Sequence, residues 1–258
     1  MQRRTFIEAI GGLTVIFPAT AAADGSRTLY YTMTQYFLRN GSQTTRIQDF
    51  LAQGLVPTIR KLHSGPVICL EALVAAHMPQ VVVITGYRSL NEIKEVGDRM
   101  WKEESYRQAV QSWEAGAEAP YEHLAQALLA ATDYSPEVKP ADPVPATPRI
   151  FELRTYHSPT WRQLKALHER FAGPEIAIFH RVGVHPILYT STVFGQNMPN
   201  LTYLIPFDSL AAREKAWAAF SADPEWVKVR KESIDRHGQI SSVIQMALYR
   251  AAAYSPIK

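Results

Sequence analysis

The chain repeats itself at a fixed offset of 120 residues, and this periodicity constrains its fold more than its composition does. Tyr36, Pro66, Leu90 and Tyr106 are matched by Tyr156, Pro186, Leu210 and Trp226, and Tyr134-Ser135-Pro136 recurs as Tyr254-Ser255-Pro256. A unit this long exceeds solenoid repeats, which run about 20 to 50 residues, so it reads as one domain duplicated and fused. Each copy, at about 110 residues, is long enough to bury a core of its own.

Both copies show the same order of patterns. Leu29 to Tyr36 reads as a strand, and Ile47, Leu51, Leu55, Ile59 and Leu62 form a helical stripe in which Pro57 predicts a kink. Val67 to Leu73 and Val81 to Tyr87 read as a hairpin turning at His77-Met78-Pro79-Gln80. Ser89 with Glu92 predicts a capped helix, and His123 to Tyr134 closes the unit as a strand or a helix. In the second copy Ile150 to His157 is the strand, Trp161 to Val182 the helix, Pro186 to Val193 and Leu201 to Phe207 the hairpin, and Ile240 to Tyr249 the closing element.

The predicted order, strand-helix-strand-strand-helix-strand, is the ferredoxin-like arrangement, whose sheet carries helices on one face only. The expected fold class is therefore α+β, with two tandem ferredoxin-like units laying their bare sheet faces together as an intramolecular, pseudo-dimeric α+β barrel. The units span residues 28–135 and 149–257, joined by a linker at 136–148 that contains five prolines.

The N-terminus is set apart from both units. Arg3-Arg4-Thr5-Phe6-Ile7, a short apolar stretch and Ala-rich small residues near position 23 resemble a bacterial twin-arginine signal peptide, with Gln2 and Glu8 departing from the usual pattern. Residues 1–23 are thus expected to direct export to the periplasm or beyond, and no membrane span is expected in the mature chain. Without Arg3, Arg4 and Glu8 the 27 basic and 24 acidic residues become 25 and 23, a balance that offers nucleic acid no basic surface. The single Cys69 has no intrachain disulfide partner and reads as a buried small hydrophobe. Gly-rich phosphate loops, Gly-x-Ser-x-Gly elbows and zinc-type Cys pairs are missing from the sequence.

Phe151-Glu152-Leu153-Arg154-Thr155-Tyr156, Met198 to Leu204, Phe207 to Arg213 and Asp223-Pro224-Glu225-Trp226 resemble the NIPSNAP family. The resemblance covers residues 150 to about 250, and reaches the first copy only through the repeat, where Lys102 to Tyr106 has lost the Asp-Pro-Glu-Trp wording. It implies membership of the dimeric α+β barrel group, which also holds cofactor-free monooxygenases and haem-binding enzymes, and it brings no settled chemistry with it.

Subtracting one copy from the other isolates candidate site residues. Thr34, Gln48, Leu55 and Arg60 become Arg154, His168, Glu175 and His180, and Val83 becomes Tyr203. His168 and Glu175 share a stripe with Phe171 and Phe179, so a buried His-Glu pair exchanging a proton is one reading, with Arg154 or Tyr156 orienting an anionic or phenolic ligand. The other reading turns Glu175 out to solvent and leaves His168 on the rim. The expected function is binding of a small apolar or aromatic ligand in the second unit, with a metal-free oxygenase as the alternative. No cofactor is expected; a haem would need a proximal histidine from His168, His180 or His185, and nothing around them is diagnostic. A homo-oligomer is compatible with the sequence.

Overall fold

Residues 7–10, 13–16 and 27–258 are described by the computed structural model of this chain. Arg3-Arg4 and the Ala19 to Ala23 stretch, on which the export expectation rests, lie outside the described residues. Two short N-terminal strands, β1 (Ile7–Ile10) and β2 (Leu13–Ile16), pair with each other in antiparallel fashion.

The first half runs β3 (Tyr30–Phe37), α1 (Ser42–Asp49), a π-helical turn (Phe50–Leu55), α2 (Val56–Leu62), β4 (Val67–Val74), β5 (Gln80–Tyr87), α3 (Leu90–Lys102), α4 (Glu104–Glu114) and β6 (His123–Ala131). The second runs β7 (Ile150–His157), α5 (Trp161–Arg170), a π-helical turn (Phe171–Glu175), α6 (Ile176–Arg181), β8 (Leu188–Phe194), β9 (Asn200–Phe207), α7 (Leu210–Ala222), α8 (Pro224–His237) and β10 (Val243–Ala251). The eight strands β3 to β10 close an antiparallel barrel in the order β10-β4-β5-β3-β6-β8-β9-β7. Closure comes from β6 on β8 and β10 on β4, so the last strand of each half pairs with the second strand of the other.

Strand alternation divides the core into three. Tyr31, Ile68, Leu70, Val82, Phe151 and Leu204 point into the barrel, whereas Tyr36, Cys69 and Val83 meet the first set of helices and Tyr156, Tyr189 and Tyr203 the second. Because β5 is covered on both faces, its apolar run Val81 to Ile84 is continuous rather than alternating. Cys69 is buried and unpaired, and burial pushes its thiol up to about 12.

One helix expectation is corrected. The segment from Trp161 to Val182 is not one helix: Pro174 has no N–H to give and Gly173 leaves helical space (φ −89°, ψ −114°), so the chain passes through a π turn before restarting at Ile176. The first-half stripe is likewise interrupted by a π turn, Phe50–Leu55, and Pro57 follows it in the first turn of α2, where its missing N–H costs little. The closing segment from His123 settles as a strand.

The Tyr-Ser-Pro tails behind β6 and β10 cross over. Ser135 Oγ accepts from the Tyr189 amide and Ser255 Oγ from the Cys69 amide, both at 3.0 Å, each reaching into the opposite half. Tyr134 meets His168 at 2.7 Å, while the Tyr254 hydroxyl donates to Gln48. No helix among the described residues is long and apolar enough to cross a membrane.

Candidate functional site

The space between the sheet and helices of the second half holds a buried charge network whose first-half counterpart is almost entirely apolar. At its base lies Glu152 on β7, with no exposed surface. Its carboxylate accepts from Arg154 Nη1, from Arg213 Nε at 2.6 Å and from Trp217 Nε1 at 3.0 Å. Arg213 and Trp217 lie four residues apart on α7, which puts both on the face turned to β7. Two guanidiniums and an indole thus satisfy one carboxylate, the condition under which a buried acid is tolerated. The Arg154 guanidinium also lies 4.4 Å from the Trp217 ring centroid and 5.3 Å from that of Tyr156, over their π faces.

Register places the next layer. Arg154, Tyr203 and Tyr189 face one another across β7, β9 and β8, forming one row on the helix-facing side of the sheet. The equivalent row of the first half is Thr34, Val83 and Cys69. Among the described residues, Arg154 Nε and the hydroxyls of Tyr189 and Tyr203 are buried without a hydrogen-bond partner. Three unpaired polar atoms in one row are unusual, since the large majority of buried polar groups find partners. Burial raises both tyrosine hydroxyls far above their ordinary range, so they remain protonated donors.

Glu175 closes the layer from the helix side. It is 1% exposed and accepts from Arg170 Nε at 2.6 Å. Burial lifts its carboxyl to about 6, against the opposing pull of the Arg170 and Arg154 guanidiniums. The expectation that it bends to solvent beside Pro174 is therefore overturned. Around it, Phe171 packs edge-on against Tyr156, Tyr189 and Tyr203, with ring centroids 5.6 to 6.2 Å apart. Arg154, Arg170 and Arg213 are partly exposed, with side chains 13%, 10% and 15% exposed, as is Trp217.

Of the six residues singled out from sequence, Arg154, Tyr156, Glu175 and Tyr203 converge here. His168 does not join them as a proton partner of Glu175: its Nδ1 meets the Tyr134 hydroxyl at 2.7 Å and its Nε2 the Ser191 hydroxyl at 2.8 Å. With both nitrogens engaged and burial lowering its pKa to about 4, it is a neutral bridge between the crossed-over tail and β8. His180 is exposed and stacks on His185 at 5.2 Å, outside this space. None of the three histidines therefore offers a free nitrogen to a haem iron between helices and sheet. Among the described residues no group of three or more His, Cys, Asp or Glu side chains is placed to hold a metal ion.

Five members escaped the sequence reading: Glu152, Arg170, Tyr189, Arg213 and Trp217. The same subtraction finds them, because 120 residues earlier stand Thr32, Phe50, Cys69, Ile93 and Gly97. The Asp223-Pro224-Glu225-Trp226 wording, by contrast, is a helix start. Asp223 caps α8 by accepting from the amides of Glu225 and Trp226 at 3.0 and 3.1 Å, and Pro224 occupies the first turn.

Comparison with known proteins places the architecture and part of the sequence. No curated protein matches this chain. Two solved structures called "putative monooxygenase" superimpose on it: that of Fusobacterium nucleatum at TM-score 0.56 and 10% identity, covering 88% of this chain and 93% of the other; and that of Lactobacillus acidophilus at TM-score 0.54 and 12% identity, covering 87% and 94%. An anthrone oxidase-like protein does so at TM-score 0.56 and 11% identity, covering 88% and 93%. At these identities the likeness is one of fold, an α+β barrel spanning both halves. In sequence, residues 151–256, the half that holds the buried charge network, match the NIPSNAP family model.

Proposed function

We propose that this chain is an exported pair of fused ferredoxin-like units whose second unit binds a small aromatic molecule bearing a hydroxyl or carbonyl oxygen, between its helices and its sheet. The row of unpaired donors carries the reading: Arg154 Nε and the Tyr189 and Tyr203 hydroxyls stand on neighbouring strands, buried among the rings of Tyr156, Phe171 and Phe179. A ligand oxygen there would satisfy donors that are costly to leave unpaired. Approach runs past the partly exposed Arg154 and Arg213.

Tyr203→Phe and Tyr189→Phe test this, using 2-naphthol as the probe and its own fluorescence as readout. Each change removes an unpaired hydroxyl, so the Tm should rise, by the equivalent of about 1 kcal/mol or more, while affinity falls about tenfold. Unchanged affinity in both variants would move the ligand elsewhere.

A second reading is favoured by Glu175. A carboxyl poised at about 6 is suited to take a proton from a weakly acidic C–H or O–H near neutral pH. The structural neighbours called monooxygenase and anthrone oxidase-like suggest the reaction to try. In it, anthrone and dioxygen give anthraquinone and water, the substrate losing one proton to Glu175 and its electrons to oxygen. Oxygen uptake with anthrone that disappears in Glu175→Gln supports catalysis; no uptake by the unaltered protein leaves the binding role alone.

Export is tested separately. Replacing Arg3 and Arg4 by lysine should hold an unprocessed precursor in the cytoplasm, and normal export of that variant would remove the twin-arginine assignment.

A further inference from the structure

A cavity lies at the opposite face of the sheet, inside the barrel. It has a volume of about 420 Å³ and opens at the barrel end formed by the two hairpin turns, between Met33, Phe37 and Ala127 on one side and Thr155, Thr192 and Thr202 on the other. That size falls within the range of ligand pockets, about 300 to 1,000 Å³.

Its second-half wall is a polar ladder with a fixed direction. Asn200 Nδ2 donates to the carbonyls of Gln196 and Asn197 at 3.2 and 2.9 Å, which orients the amide. Asn200 Oδ1 must then accept from the Thr192 hydroxyl at 2.7 Å and the Thr202 hydroxyl at 3.2 Å. With its proton committed, Thr202 can only accept from Thr155, 2.9 Å away. Every hydroxyl proton of the ladder is thereby used inside the wall. What the ladder itself turns to the cavity is lone pairs, on Thr155 and Thr192; the side-chain amides of Gln35, Gln126, Gln196 and Gln245 line the rest of the mouth.

Barrel closure does not require this ladder. At the equivalent positions the first half carries Gln35, Ala72, Gln80 and Val82 for Thr155, Thr192, Asn200 and Thr202, on strands paired in the same antiparallel order. No carboxylate, lysine or arginine lines the cavity, and its one histidine, His77, is tied to the Leu38 carbonyl at 2.8 Å. An ionic ligand would lose its hydration there with no charge to replace it.

From the one-sided ladder and the chargeless lining we infer that the barrel mouth is a binding site for an uncharged molecule that carries hydroxyl donors along one edge and an apolar face on the other. The donors meet Thr155 and Thr192, and the apolar face lies against Met33, Ala127 and Ala247. This site is separate from the one between helices and sheet, and either can fail without the other.

The test uses 4-hydroxybenzyl alcohol as a neutral probe and 4-hydroxybenzoate as its anionic counterpart, with methyl-labelled methionine NMR as readout. Met33 and Met246 line the cavity and report on it locally, against the four other methionines of the sequence. The neutral probe should shift these two signals saturably, and the anion at least tenfold more weakly. Thr202→Val, which installs the first-half residue, should weaken binding about tenfold, and Ala247→Leu, which fills the space, should abolish it, both with Tm unchanged or raised. Absent shifts with the neutral probe, equal binding of the anion, or unaltered affinity in both variants would each overturn the inference.

Discussion

The two halves have the same strands, the same π turns and the same crossed-over tails, yet fill the space between helix and sheet in opposite ways. The first half packs it with rings and aliphatics: Phe50 stacks on Trp113 at 4.4 Å, and Tyr36 meets Trp113 edge-on. In the second half Arg170 stands where Phe50 does, Glu175 where Leu55 does and Glu152 where Thr32 does. A shared backbone that accepts either filling shows that the charges do not serve the fold as such. Buried ion pairs are weak sources of stability compared with apolar packing of the same volume. The second half therefore carries a destabilising burden that its twin avoids, which points to a requirement other than folding.

The largest effect should come from breaking that network at its base. Glu152→Thr restores the first-half residue but leaves Arg154 and Arg213 without their shared carboxylate, and should cost about 3 to 5 kcal/mol in thermal or urea unfolding. A loss under about 1 kcal/mol would mean the two fillings are interchangeable residue by residue.

Acid titration sharpens the contrast next. His168 has a folded pKa of about 4 against 6.5 when free, so the unfolded chain binds the extra proton between those values. Stability rises with pH across that window and is lost as pH falls through it, by up to roughly 3 kcal/mol. Glu175 works the other way: its pKa, raised from 4.5 to about 6, makes the folded chain the better proton binder, and stability falls as pH rises between those two values. His168→Gln should therefore give a smaller pH-dependent gain than the parent between pH 4.5 and 6, and Glu175→Gln a larger one. Parallel curves for all three proteins would contradict the burial of both groups.

The smallest difference concerns the last helix of each half. Asp223 caps α8 with its side chain, whereas Glu103 makes no side-chain cap for α4. Asp223→Ala should cost about 1 kcal/mol and Glu103→Ala a few tenths at most, measured by urea denaturation. Equal costs would mean that the Asp-Pro-Glu-Trp wording owes nothing to helix capping.

Strand periodicity made much of this legible in the sequence. Arg154, Tyr156 and Tyr203 could be placed on one sheet face because alternation along β7 and pairing with β9 follow from the pattern alone. The helix side was less transparent. In a continuous helix His168 and Glu175, seven residues apart, would lie within about 20° of each other. The wider π turn after Arg170 alters that phase, leaving Glu175 with Arg170 and His168 with Tyr134. His180, past the restart at Ile176, is turned outward for the same reason. Tyr134 belongs to the other half altogether, and no local pattern signals a partner that arrives across a domain boundary.

That crossing has a thermodynamic consequence. Tyr134 and Ser135 complete the second half while Tyr254 and Ser255 complete the first, so neither half owns all the contacts of its own core. Loosening one tail strips a hydrogen bond from a strand of the opposite sheet and from a helix packed on it. The free energies of the two halves are then not separable quantities: a single unfolding transition is expected, and a perturbation of the tail behind β6 reaches the second half through Tyr134 and Ser135, which hold His168 and the Tyr189 amide.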